Sequence, residues 1–114
     1  MIIATMPHNA SVYVPSTTNV SKATDNSEVV KAVRKALSNR FGGATGINAV
    51  GSYVDTKGNL INEPVVIVSA FISEDTHNGA MEFVQEIAET ICNAMSQECV
   101  MFTYDGIGYL VDGK

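Results

Sequence analysis

No stretch of the chain approaches the roughly 18 consecutive apolar residues that a membrane-spanning helix needs. The opening residues lack the basic start and apolar run of a secretory signal. Only two cysteines occur, Cys92 and Cys99, without metal-ligand spacing, so a reducing cytoplasm is the expected compartment. Bases are few: 7 against 12 acids, for a net charge of -5. That balance argues against a general binder of nucleic acid or of anionic membranes. The usual catalytic signatures are missing as well, with no nucleophile elbow, P-loop, HExxH or dinucleotide fingerprint. Phe41-Gly42-Gly43-Ala44-Thr45-Gly46 is rich in glycine but follows a helical pattern, whereas phosphate-cradling loops precede one. His8 and His77 have no serine or cysteine motif to serve and read as surface residues, and Cys92 and Cys99 read as small buried hydrophobes. The expectation is a protein without catalytic residues, metal or cofactor.

What is present is enough for a folded core. Apolar residues make up 46% of 114 and charged ones 17%, and a chain of this size buries roughly two-thirds of its unfolded surface. Residues 1 to 24 read as an irregular arm, dispensable to the core. It contains a short strand, Ser11 to Val14, closed by Pro15, and a polar linker from Ser16 to Ser21. Residues 25 to 114 read as one α+β domain. Asp25 and Glu28 suggest a capping box, Val30, Val33, Leu37 and Phe41 recur at helical spacing, and Gly42-Gly43 ends the element. Thr45 to Val54 and Glu63 to Ile72 read as strands joined by a turn at Asp55 to Asn59. Ser73 to Thr76 offers capping oxygens to a second helix reaching about Gln97, with Val84, Ile87, Ile91 and Met95 as its stripe. Cys99 to Tyr104, the turn Asp105-Gly106 and Ile107 to Val111 close the chain as a hairpin. The order β-α-β-β-α-β-β predicts a two-layer sandwich, ferredoxin-like, with an antiparallel sheet and both helices on one face. The uncovered face predicts a homo-oligomer, a dimer or higher.

Charge is unevenly placed. Residues 22 to 40 carry Lys22, Lys31, Arg34, Lys35 and Arg40 against two acids. Lys31 and Lys35 point away from the apolar stripe, while Arg34 and Arg40 flank it. A flanking arginine either lays its stem on the core or receives a phosphate through its planar fork. On the second helix, Glu82, Glu86, Glu89 and Asn93 share a polar face. Phe83 lies at the margin of the stripe, either a core-edge residue or a stacking platform. Arg34, Arg40, Phe83 and Asn93 are the candidate ligand contacts.

Several motifs stand together: Phe41-Gly42-Gly43-Ala44-Thr45, Ala49-x-Gly51-x-Tyr53, Gly58, Glu63 and Gln97-Glu98-x-Val100. On these the chain resembles a bacterial domain-of-unknown-function family and, in layout, the phage Thoeris anti-defence sponges. The resemblance spans about residues 26 to 104. It implies a non-enzymatic phage protein in the cytoplasm of an infected bacterium. Its partner would be a cyclic nucleotide immune signal, a cyclic ADP-ribose isomer or a cyclic oligonucleotide. The alternative is a small bacterial or phage domain with a structural or protein-interaction role.

Overall fold

The computed structural model describes residues 1–18 and 22–114. Strand β1 spans His8–Pro15, and two-residue strands β2 (Thr17–Thr18) and β3 (Lys22–Ala23) pair with each other. Helix α1 is Ser27–Phe41, β4 Thr45–Val54, β5 Leu60–Ile72, α2 Ala80–Ala94, β6 Val100–Tyr104 and β7 Ile107–Val111. The main sheet has the order β4-β5-β1-β6-β7, with every neighbouring pair antiparallel. This is the expected two-layer α+β sandwich. Among the described residues no helix is long and apolar enough to cross a membrane.

The core follows from period-two alternation. Ala10, Val12 and Val14 of β1 are fully buried while Ser11 and Tyr13 between them are not. Ala10 lies between Ala70 and Tyr104, and Val12 between Val68 and Phe102, so directly opposite residues build one apolar layer. Val33, Leu37 and Phe41 of α1 and Val84, Ala88, Ile91 and Cys92 of α2 pack on it. Both helices keep the expected stripe, but their starts differ. Asn26, not Asp25, is the N-cap of α1, and the Asp25 carboxylate accepts the Ser27 N–H at 2.9 Å. Glu74–Thr76 is a separate 3₁₀ turn, and α2 begins only after Gly79, whose φ of 76° breaks the path.

The largest departure from the sequence-based expectation is at the N-terminus. The strand expected at Ser11 to Val14 is longer and occupies the middle of the sheet, so residues 1–24 do not separate from the core as one arm. Residues 1–7 precede this strand, and Thr17–Thr18 and Lys22–Ala23 form their own small sheet beside it. The expected polar linker runs through 19–21, which lie outside the described residues.

Among the described residues no helix lies over the second face of the sheet. Ile47, Phe71 and Leu110 lie there, 55%, 66% and 64% exposed, a large apolar area for a surface. The β4–β5 hairpin also outruns the sheet: pairing continues to Val54 and Leu60, whereas β1 accompanies β5 only to Val65. The projecting ribbon exposes Val50, Tyr53, Val54 and Leu60. Two strands alone gain little stability in water.

Candidate functional site

The open face carries a hollow whose lining is determined by the pairing of β4 with β5. Gly51 pairs with Glu63 and Tyr53 with Ile61, which puts Ala49, Tyr53, Glu63, Val65 and Ile67 on the same side. Tyr13 of β1, opposite Ile67, joins them, with Met101 and Leu110 beyond. The hollow has a volume of about 420 Å³, and Gln97 and Cys99 border it. Gly51 has no side chain, so the wall is low in front of Glu63. Gln97 is fixed by donating to the Thr17 carbonyl at 2.6 Å and the Met95 carbonyl at 3.4 Å. Of the motif residues singled out in sequence, Ala49, Gly51, Tyr53, Glu63 and Gln97 meet around this one concavity. A single carboxylate beside two phenol rings on an apolar floor suits a small cationic ligand with a flat apolar part.

A second polar cluster sits at the end of the sheet where β1 begins and β6 ends. Asp105 (φ 51°) and Gly106 (φ 81°) form a two-residue turn with both residues left-handed, the type that matches strand twist. That turn aims Asp105 back at β1: its Oδ1 accepts the Asn9 N–H at 3.1 Å and its Oδ2 lies 2.7 Å from His8 Nδ1. His8 Nε2 is 2.9 Å from Glu74 Oε2. His77 stacks on His8 with ring centres 4.0 Å apart and 15° between planes, and its Nδ1 is 3.2 Å from the Tyr104 hydroxyl. Hydrogen bonding to Asp105, then to Glu74, raises the His8 pKa above its ordinary 6.5, with desolvation opposing. The His8 bond holds Asp105 below its ordinary 3.8. Burial, then the charges of Asp105 and Glu74, pushes the Tyr104 phenol up.

These shifts give a pH signature. His8 contributes stability that is complete below about 6.5 and is lost as pH rises through its raised folded value. Asp105 contributes stability that is present above about 3.8 and is lost as pH falls through its depressed folded value. In chelator-treated buffer the melting temperature should therefore be highest in the mildly acid range between these values. Asp105→Asn should flatten that maximum. An unchanged pH profile in the variant would show the His8–Asp105 bond to be energetically silent.

Sequence reasoning missed both histidines because nothing local marks them. Residues 8 and 77 converge only through the pairing of His8 with Ile72. Of the four expected ligand contacts, Arg40 and Phe83 come together. The guanidinium lies 4.7 Å from the Phe83 ring centre and 5.4 Å from that of Phe41, and it donates to the Asn78 carbonyl at 3.1 Å. Phe83 also meets Phe41 edge-on, with centres 6.0 Å apart, and borders an apolar groove of about 520 Å³ between the helices. Arg34 lies apart, beside Gly46, Asn48 and Val66. Asn93 is about 15 Å along α2 from Phe83 and donates to the Gly113 carbonyl at 3.0 Å.

No family model matches the chain, and no protein of curated function matches it in sequence. Two solved structures share its fold. A phage SAM lyase in complex with S-methyl-5′-thioadenosine superposes with a TM-score of 0.75 at 19% identity, over 98% of this chain and 95% of that one. A phage SAM lyase in the apo state gives 0.68 at 18% identity, over 98% and 94%. The resemblance to Thoeris sponges is carried by neither. The expectation of a non-enzymatic protein is corrected by both, because this fold serves a lyase. The missing motifs behind that expectation do not bear on this chemistry, which needs none of them.

Proposed function

We propose that the chain is a phage anti-defence enzyme of the host cytoplasm that binds S-adenosylmethionine on the open face of its sheet and splits it to S-methyl-5′-thioadenosine. The observation that carries this is the likeness, over nearly the whole of both chains, to a SAM lyase solved with that thioether. The local chemistry supports it. Glu63 would hold the substrate's α-ammonium group, and Tyr53 and Tyr13 would offer ring faces to the sulfonium. When the bond between sulfur and the amino-acid side chain breaks, its electron pair goes to sulfur and the sulfonium becomes a neutral thioether. The side-chain carbon is satisfied by the substrate's own carboxylate, so no water or added proton is needed. Positive sulfonium and negative carboxylate disappear together, and an apolar floor of Val65, Ile67, Met101 and Leu110 favours losing that charge pair.

Charge also favours this ligand over the finer expectation of cyclic ADP-ribose. A net charge of -5 attracts a cation and repels a pyrophosphate. The groove beside Phe83 is bordered by Glu28 and Glu86, which disfavour phosphate further. A hollow on an open sheet cannot exclude water alone, so the proposal includes a second copy of the chain laid over this face. Incubation with S-adenosylmethionine should yield S-methyl-5′-thioadenosine by chromatography, and sedimentation at micromolar concentration should give a dimer or larger. Intact substrate at stoichiometric protein, with cyclic ADP-ribose bound in its place, would overturn the assignment.

A further inference from the structure

We propose that His8, Glu74 and His77 form a binding site for one divalent transition-metal ion, of the Zn²⁺, Ni²⁺ or Co²⁺ class. The site is separate from the hollow used above and does not depend on that reading.

Ring orientation points to a metal. Each imidazole spends its Nδ1 on a neighbour from the end of β6: Asp105 for His8 at 2.7 Å, and the Tyr104 hydroxyl for His77 at 3.2 Å. Each Nε2 is thereby directed at the same carboxylate, His8 at 2.9 Å from Oε2 and His77 at 4.0 Å from Oε1 of Glu74. Metal-bound histidines are oriented in this way, with one nitrogen held by a carboxylate or other partner so that the opposite lone pair faces the ion. One donor atom from each of the three residues falls within 4.8 Å of the other two. Two imidazoles and one carboxylate suit the first-row metals, whereas Ca²⁺ and Mg²⁺ prefer oxygen throughout.

The supports differ in stiffness. His8 is held on both edges and its side chain is only 18% exposed, while those of His77 and Glu74 are 41% and 70% exposed. The stacked rings cannot both aim at one ion in parallel planes. Coordination therefore requires His77 to tilt off His8 and Glu74 to swing, and both have the room. Three protein donors leave positions for water, so the ion would be exchangeable.

The experiment uses the full chain, untagged and stripped with chelator, in the absence of S-adenosylmethionine. Titration with Co²⁺ is followed by its visible absorption, and Zn²⁺ is followed by calorimetry. One ion per chain is expected, with binding weakened at least tenfold by His77→Ala, His8→Ala or Glu74→Gln. Asp105→Asn should weaken it about tenfold through loss of ring orientation. If His8→Ala fails to fold, His77→Ala decides, because that ring lies outside the core. Absence of a Co²⁺ band and of Zn²⁺ heat at about 100 µM ion would overturn the proposal. So would binding undiminished in His77→Ala.

Discussion

Glu63→Gln is expected to lower kcat/KM for S-adenosylmethionine cleavage by about tenfold to a hundredfold while circular dichroism and melting stay as in the parent chain. Glutamine keeps the shape of the side chain and removes its charge. What is lost is a charge-assisted hydrogen bond to the substrate ammonium, worth about 1.5–3 kcal/mol. Glu63 is half-buried on the open face and outside the helix-covered core, so the fold has little stake in its charge. Tyr53→Leu, which removes an aromatic face at the rim, should raise KM more than it lowers kcat. Rates of S-methyl-5′-thioadenosine release at saturating and limiting substrate separate the two effects. Undiminished turnover in both variants would move the site off the open face, and the Arg40–Phe83 stack would be the next place to look.

Removing residues 1–15 should abolish folding, while removing residues 1–6 should change the melting temperature only slightly. Met1, Ile2 and Ile3 are 86% exposed or more, so the short truncation gives up little burial. The long one deletes the strand between β5 and β6 and with it Ala10, Val12 and Val14, all fully buried. Each buried valine is worth about 1.5–3 kcal/mol, and two hydrogen-bonded ladders go as well. Against a total stability of about 5–15 kcal/mol for a domain, the deficit is decisive. A cooperative melt in the long truncation would mean that β4-β5 and β6-β7 can pair without β1.

The parts of the fold that sequence made legible are those written in local period. The α1 stripe, the α2 stripe and the Asp55–Asn59 turn depend on neighbours within a few positions, and they stand where expected. In that turn Asp55 Oδ1 accepts the N–H groups of Lys57 and Asn59, both at 2.9 Å. The alternation of β1 was also visible, but its place in the sheet is decided by partners far along the chain, so an interior strand passed for an arm. The candidate sites show the same division. Tyr53 and Glu63 belong to motifs that could be noticed, yet their meeting depends on the β4–β5 register. The His8–Glu74–His77 cluster joins β1 to the Glu74–Thr76 turn and its cap His77, so only the Glu74–His77 spacing is local.

The central position of β1 governs how the molecule comes into being. Strand β1 is made well before either partner: His8–Pro15 pairs with Leu60–Ile72 and with Val100–Tyr104, both far along the chain. Until then Val12 and Val14 travel as an unpaired apolar strand, the species most prone to stray association. Helix α1 can form early, but the sheet it packs on cannot close before β6 and β7 have been made. Contacts this distant in sequence also slow refolding of the finished chain. Yield on expression should thus respond to translation speed and temperature more than the finished fold's stability would suggest.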